Sequence, residues 1–506
     1  MKTAFKPCNP YLPHYEYIPD GEPHVFGDRL YIYGSHDRFN GKKFCLNDYI
    51  CYSAPVTDLT DWRYEGVIYR KTQDPRMASG KYELWAPDVV RGKDGRYYLY
   101  YCPDDRIRSI GVAVCDTPAG QYEFCGIVHD KAGKAIGERP GDTIQFDPGI
   151  FIDDDGTIYL YSGNGPRTER AIGKEPKASV VMTLEDDMVT VKTEPRHLLP
   201  TLGESEGTGY EGHEFFEASS IRKINGRYYL VYSSVNLHEL CYAVSDKPDQ
   251  GFAYGGVIIS NCDSFVEPHS LGITLGCNAL SDKLRKAGQA PFTAAKKNCY
   301  GNNHGGIEQA DGQWYIFYHR QTNRTMFSRQ GCAEPIQILE DGSIPQVEMT
   351  SQGLTGAPLP GKGIYPASMV ANLYGKSDPV ISVPVLMWKK HPYLTQDGPD
   401  AGPEDAGEKP RQYIANMKDE STAIFRYFDF TDTKRIGVKV RGRASGTLLI
   451  ETEEGTVSGI EVSNMNHWTV LEAPAALPDG VHELRFRFVG KGHLDFMSFA
   501  IGRGRK

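Results

Sequence analysis

The sequence predicts an all-β chain: a five-bladed β-propeller followed by a C-terminal antiparallel, jelly-roll-like β-sandwich. Three observations carry that prediction. One hairpin pattern occurs five times, as Gly27-Asp28-Arg29-Leu30-Tyr31-Ile32-Tyr33, Asp94-Gly95-Arg96-Tyr97-Tyr98-Leu99-Tyr100, Asp155-Gly156-Thr157-Ile158-Tyr159-Leu160-Tyr161, Asn225-Gly226-Arg227-Tyr228-Tyr229-Leu230-Val231 and Asp311-Gly312-Gln313-Trp314-Tyr315-Ile316-Phe317. Asn-Gly or Asp-Gly beside aromatic and β-branched residues is the strongest short-range hairpin signal. The copies lie roughly sixty to ninety residues apart, longer than the usual propeller period of about forty to fifty but enough for a four-stranded blade each with generous loops. Finally, the composition turns to Gly, Ser and Pro after Glu340, and alternating strands resume beyond that stretch. The competing architecture is a β-sandwich whose turns happen to look alike.

In chain order, blade one takes in Asn9-Pro10-Tyr11-Leu12-Pro13, Ile18-Pro19-Asp20-Gly21-Glu22-Pro23-His24, its hairpin and Gly34-Ser35-His36-Asp37. Blade two opens with Leu84-Trp85-Ala86-Pro87-Asp88, blade three with Gln145-Phe146-Asp147-Pro148-Gly149, blade four with Phe215-Phe216-Glu217-Ala218-Ser219 and blade five with Gly301-Asn302-Asn303-His304-Gly305. The long connection from Gly255 to Tyr300 is expected to rim the mouth of the propeller, since long loops in compact domains are functional or disordered. The expected domains are a propeller over 1–345, a linker over 346–365 and a sandwich over 366–506. The sandwich strands are read from the alternation in Ile424–Phe428, Ile436–Val440, Thr447–Glu451 and Glu483–Phe488. The acidic loop from Gln396 to Glu408 reads as solvated.

Composition narrows the function. The 506 residues carry a net charge of −9 with 40% apolar and 24% charged content. That balance provides no basic footprint for nucleic acid, because binding by counterion release needs clustered cations; a neutral ligand fits better. The N-terminus has no apolar signal region and no run approaches the roughly eighteen apolar residues of a membrane span, so the expected address is cytoplasmic, with no membrane partner. The eleven cysteines are odd in number, lie between Cys8 and Cys332 and never form Cys-x-x-Cys. They read as reduced thiols, with Cys51, Cys102, Cys115 and Cys241 buried in strands, and their spacing argues against a zinc cluster.

Counting nine residues back from the hairpin glycine gives Ala86, Asp147, Glu217 and Asn303 in blades two to five, and the shorter first hairpin puts Asp20 seven before Gly27. The first strand of each blade lines the propeller axis, so equivalent positions point into a shared funnel. An isolated Asp before a turn is ordinarily a cap or turn residue; three carboxylates at one register are harder to explain that way. Converging like charges raise the pKa of at least one member. A protonated acid beside a carboxylate is what glycosidic cleavage requires, with no metal, thiol or organic cofactor needed for the chemistry.

Ile18-Pro19-Asp20, Trp85-Ala86-Pro87-Asp88, Phe146-Asp147-Pro148-Gly149, Glu217-Ala218-Ser219 and Asn303-His304-Gly305 together resemble the ordered signature of glycoside hydrolase family 43, over residues 9 to about 340. The resemblance implies a five-bladed propeller that hydrolyses xylosides, arabinofuranosides or arabinans with inversion, acting on oligosaccharides. By matched position it implies Asp20 as general base, Glu217 as general acid and Asp147 as the carboxylate that tunes and orients the acid. Where many members read Asp-Pro at the base, this chain has Asp20-Gly21, with Glu22 as a nearby competitor out of register. The resemblance further implies Trp85 and His36 at the sugar, Arg329 reaching sugar hydroxyls, and His304 near a structural Ca²⁺. The bland counterparts are a core Trp85, a hydrogen-bonded His304 and a solvated Arg329. The end of the chain, from His467-Trp468-Thr469 to Leu494-Asp495-Phe496, resembles a family 6 carbohydrate-binding module. β-Xylosidase and α-L-arabinofuranosidase are not separated by these motifs, and a non-catalytic carbohydrate receptor is the reading from another class.

Overall fold

Strands from five successive stretches of chain form the ring. The computed structural model describes residues 8–104, 106–261, 302–376 and 391–502. Blade one contains Glu22–Phe26, Arg29–Tyr33, Tyr49–Pro55 and Arg63–Tyr69; blade two contains Leu84–Arg91, Tyr97–Pro103, Gly111–Cys115 and Glu123–Ile127. Blade three runs Gly149–Ile152, Ile158–Gly163, Ser179–Leu184 and Val191–His197, and blade four runs Phe215–Ile224, Arg227–Ser234, Glu239–Ser245 and Ala253–Ser260. Blade five has three strands among the described residues, Ile307–Ala310, Gln313–Gln321 and Arg329–Ile336, where four were expected. All pairs within the blades are antiparallel and neighbouring in sequence, as the repeated hairpins require. At Asn225-Gly226 and Asp311-Gly312 both turn residues have positive φ, the geometry that matches the twist of a two-residue hairpin.

Each inner strand touches its neighbours around the axis, and the ring closes between blades one and five through a parallel bridge of Gly21 with Gly305. Five apolar cores fill the wedges between adjacent blades. Ile32 and Tyr52 of blade one meet Phe317 of blade five, Tyr33 and Tyr49 meet Leu99 of blade two, and so on around the ring. Burial of the blades therefore comes from their sides, leaving the axial ends of the inner strands free for polar residues.

The C-terminal domain is a sandwich of two six-stranded sheets. Its core is built by aromatic residues from both inner faces, including Phe425, Phe428, Phe486, Phe496 and Phe499. The strands predicted from alternation appear within Ser421–Phe430, Arg435–Gly442, Ala444–Thr452 and Gly480–Gly492.

Three expectations need correction. The stretch 346–365 is not a free linker. Thr350 caps the Glu334 carboxylate, the Ser351 amide donates to the Arg426 carbonyl at 2.6 Å, and Leu359–Pro360 and Gly363–Pro366 pair with opposite sheets of the sandwich. Gly and Pro mark edge strands as readily as linkers. The acidic loop is partly docked: Asp400 accepts from the Phe39 amide at 2.7 Å and Glu404 from the Tyr64 hydroxyl at 3.0 Å. Cys115 is half-buried, while Cys51, Cys102 and Cys241 are buried free thiols as expected. Of the long connection after Gly255, the first part completes a strand and residues 262–299, with Tyr300, lie outside the described residues.

Candidate active site

One mouth of the propeller opens into a cavity of about 470 Å³, lined among others by Asp20, Asp147 and Glu217. The three carboxylates predicted from register thus meet. Their backbones are irregular where the side chains turn inward. Asp20 and Asp147 have φ of 55° and 45°, and Ala218, just after Glu217, has φ 72°. Left-handed backbone at non-glycine residues is uncommon and clusters at functional sites. A β-bulge on Phe215–Ile224 follows Glu217, whose partner is Ser233 while Ser220 pairs with Val231. Such a bulge re-aims a side chain at the end of a strand.

The surroundings push the three groups apart. Burial alone would raise Asp20, but the Arg329 guanidinium, donating from Nη1 to Oδ1 at 2.8 Å, together with His319 holds the carboxyl well below the usual carboxylate range. Burial pushes Glu217 up to about 7, against the Asn302 side-chain amide and the charge of Arg167; the Asn302 and Asn164 amides donate to its two oxygens at 3.1 Å. Asp147 is raised well above its ordinary value by burial, then by the charges of Glu217 and Asp20. A buried thiol, Cys102, lies beneath it, with Sγ 3.6 Å from Oδ1. One carboxylate is therefore ionised throughout the neutral range and two carry a proton more readily than a free acid, the split that an acid–base pair needs.

The structure sorts the remaining candidates. Trp85 does wall the cavity, edge-on to Phe146 at 5.2 Å and to Phe44 at 6.4 Å. His36 does not reach the cavity: its Nδ1 is 2.9 Å from the Asp48 carbonyl and its Nε2 faces Glu16, so it braces the loop from behind. Arg329 lines the cavity but is neither solvated nor free for sugar. It is 1% exposed, and Nε and Nη2 donate to Asp37 while Nη1 donates to Asp20. His304 faces Asp147 at 3.5 Å and Asp20 at 3.9 Å, and burial lowers its pKa to about 4, so it is neutral. Among the described residues it belongs to no set of three converging metal-ligand atoms; the two such sets are His213, Glu239 and Cys241, and Glu22, His24 and Asp88. Asn303, counted as the blade-five equivalent, turns its side chain to the His238 carbonyl and the His319 amide, and its neighbour Asn302 enters the site instead. Asp37, Asn164, Asn302, His319 and Cys102 were missed. Asp37 and Asn302 stand within motifs marked in the sequence and Cys102 in a predicted strand, but their place in the site, like that of Asn164 and His319, is set by blade closure.

A five-bladed propeller whose mouth gathers differently poised carboxylates defines a glycoside hydrolase. Family comparison agrees: residues 19–344 match the model of "Glycosyl hydrolases family 43". The chain belongs to that family. It is 50% identical over 499 residues to a xylosidase/arabinosidase of Thermoclostridium stercorarium, covering 97% of this chain and 98% of that protein. It is 32% identical over 292 residues to xylosidase/arabinosidase 43A of Humicola insolens, covering 50% of this chain and 84% of that one. Among solved structures it resembles a β-xylosidase/α-arabinofuranosidase from a compost microbial metagenome, with a TM-score of 0.49 and 25% identity over 67% of this chain and 97% of that chain.

Proposed function

We propose that this glycoside hydrolase releases pentose from the non-reducing ends of xylo-oligosaccharides with inversion, as a β-xylosidase that also accepts α-L-arabinofuranosides. The observation that carries the reading is the convergence of Asp20, Asp147 and Glu217 on one cavity in different electrostatic states. Glu217, protonated near neutrality, donates its proton to the leaving glycosidic oxygen. Asp20, held ionised by Arg329, takes a proton from a water that attacks the anomeric carbon from the opposite face. The products are pentose and a shortened oligosaccharide, and Glu217 and Asp20 regain their starting states by proton exchange with water. Burial and the charge of Asp20 keep Glu217 from ionising too early, and Asp147, itself raised in the same cavity, takes the part of orienting the acid.

A bounded cavity of this size, walled by Trp85, Phe44 and Phe146, supports action at a chain end. The relatives whose names join xylosidase and arabinosidase support the dual specificity, since the two pentoses offer similar hydroxyls. The unpaired thiols of the described cysteines support a reducing, cytoplasmic address, where short oligosaccharides would be the substrate. The surroundings of His304 do not suit Ca²⁺. Ca²⁺ takes about six to eight oxygens, whereas His304 has two carboxylates near it, one already held by Arg329.

Hydrolysis of 4-nitrophenyl β-D-xylopyranoside and 4-nitrophenyl α-L-arabinofuranoside, with a time course on xylotriose, tests the proposal. It expects turnover of both and xylose from the first time point. Inactivity on both pentosides would overturn it.

A further inference from the structure

The loop that joins the second and third strands of blade one, residues 34–48, forms part of the cavity wall through Phe44 and Cys45. Its inner anchor is Asp37, whose carboxylate accepts from the Cys45 amide at 2.9 Å and from the amide, Nε and Nη2 of Arg329 at 2.9–3.1 Å. Arg329 lies against the Phe44 ring at 4.7 Å and passes its remaining terminal nitrogen to Asp20. The loop thus fixes the arginine that fixes the base.

The outer side of this loop is held by the other domain. Asp400 of the sandwich accepts from the Phe39 backbone amide at 2.7 Å and lies 3.4 Å from Nδ2 of Asn47, which itself donates to the Asp37 carbonyl at 3.0 Å. The same segment of the sandwich reaches the turn that precedes Arg329. The Asn323 amide donates to the Leu394 carbonyl at 2.7 Å, and the Thr395 hydroxyl donates to Asn323 Oδ1 at 2.8 Å. A third tie runs through Tyr17. Its carbonyl accepts from the Asp37 amide, and its hydroxyl donates to Gln396 and accepts from Gln412. Residues 394–400 clasp both pieces of chain that orient Arg329, and Asp400 is the charged end of that clasp.

We propose that Asp400 is a positioning residue for the hydrolytic reaction: from the C-terminal sandwich it holds the 37–47 loop so that Asp37 and Arg329 keep Asp20 aligned on the attacking water. This rests on the reading of Asp20 as the base. It gives the sandwich a role in turnover that needs no sugar bound to that domain. Because the clasp acts on the base and not on Glu217, its loss slows cleavage irrespective of the leaving group, whereas loss of an acid is relieved by a good leaving group.

The test compares full-length Asp400→Ala, Asp400→Asn and Asn47→Ala with the wild-type chain. Asp400→Ala should lower kcat about ten-fold, equally on xylobiose and on 4-nitrophenyl β-D-xylopyranoside, with KM changed less than about two-fold. Asn47→Ala should act in the same direction. Asp400→Asn, which keeps an acceptor for the Phe39 amide, should stay within about two-fold of wild type. Amide hydrogen exchange of residues 38–47 should accelerate in Asp400→Ala and not in Asp400→Asn. Unchanged kcat in Asp400→Ala, unchanged exchange of the loop, or equal losses in Asp400→Ala and Asp400→Asn would each overturn the inference. A wild-type chain inactive on pentosides would count against the proposed function instead, and the exchange result would stand apart from it.

Discussion

The inner strands of the propeller carry two clusters of charge, and the first members, Asp20 and Glu22, are two residues apart. Asp20, Asp147 and Glu217, with Arg329, open onto the cavity. Glu22, Asp88 and Glu308, with His24 and Arg222, sit on the axis away from it: Arg222 donates toward Glu22 at 2.9 Å and toward Glu308 at 3.3 Å, and His24 meets Asp88 at 2.6 Å. Both clusters combine three carboxylates with a bonded arginine and with histidine, His24 in the axial set and His304 and His319 at the mouth. In the axial cluster Arg222 bridges two blades, Ser220 adds a hydrogen bond to Glu22, and the Ile150 amide caps Asp88, so the groups satisfy one another. At the mouth Arg329 bonds only Asp20 among the three carboxylates, its other nitrogens going to Asp37 beneath, while Glu217 accepts from two neutral amides and keeps a face toward the cavity. Access and the placement of the cation, not the number of acids, separate a working site from an internal brace.

Substitutions can break that contrast. The largest effect belongs to Asp20→Ala and Glu217→Ala, each expected to lower kcat on xylo-oligosaccharides by about 10³-fold with the fold intact, as circular dichroism would show. Glu217→Ala should lose less on an aryl pentoside, where protonation of the leaving group matters less; an equal loss would deny it the acid role. Next is Arg329→Met, expected to cost about 100-fold in kcat. It also changes the pH profile. In the wild type Asp20 stays ionised well into acid, so kcat/KM should show no acidic limb from it, and should fall as pH rises through about 7, where Glu217 loses its proton. Without Arg329, burial acts on Asp20 against His319 and His304 alone, its pKa rises, and an acidic limb should move up toward the measurable range.

The axial cluster predicts the opposite pattern. Glu22→Ala leaves Arg222 with Glu308 as its one remaining ion-pair partner and should cost at most about 3 kcal/mol of stability, seen in denaturant unfolding, while kcat of the folded enzyme stays within about three-fold of wild type. A catalytic collapse with unchanged stability would mean that Glu22 shares the base's work. The smallest effect is expected at Trp468. Its ring is covered by the Arg441 guanidinium at 4.3 Å and by Tyr413 at 5.2 Å, so it is not an open sugar platform. Trp468→Ala should leave xylan mobility shifts and pentoside turnover unchanged within about two-fold.

What the sequence made legible follows from what hairpins fix. The Asn225-Gly226 turn sets the register of its strands, so Glu217 and Asp147 could be counted to the same funnel, and Asp20 by the shorter first hairpin. Glu22 could be set aside on register alone, and the structure places it on the axis. Residues outside that register were not countable. Asn164 and Asn302 arrive from loops whose approach depends on ring closure, and Arg329 reads like a surface arginine until Asp37, distant in sequence, is brought beneath it. The stretch from Thr350 to Gly363 looked like a linker because Gly and Pro are common to linkers and edges. Gly353 is in fact packed so closely on Asn9 that a Cβ there would lie 2.7 Å from its side-chain oxygen.

The division of labour between Asp20 and Glu217 is tested most directly by proton NMR of the sugar first released from a β-xyloside. Direct attack by water activated at Asp20 predicts that α-xylose appears first and mutarotates to the equilibrium mixture. Initial appearance of β-xylose would mean retention through a covalent intermediate and would contradict the assignment of Asp20 as a base.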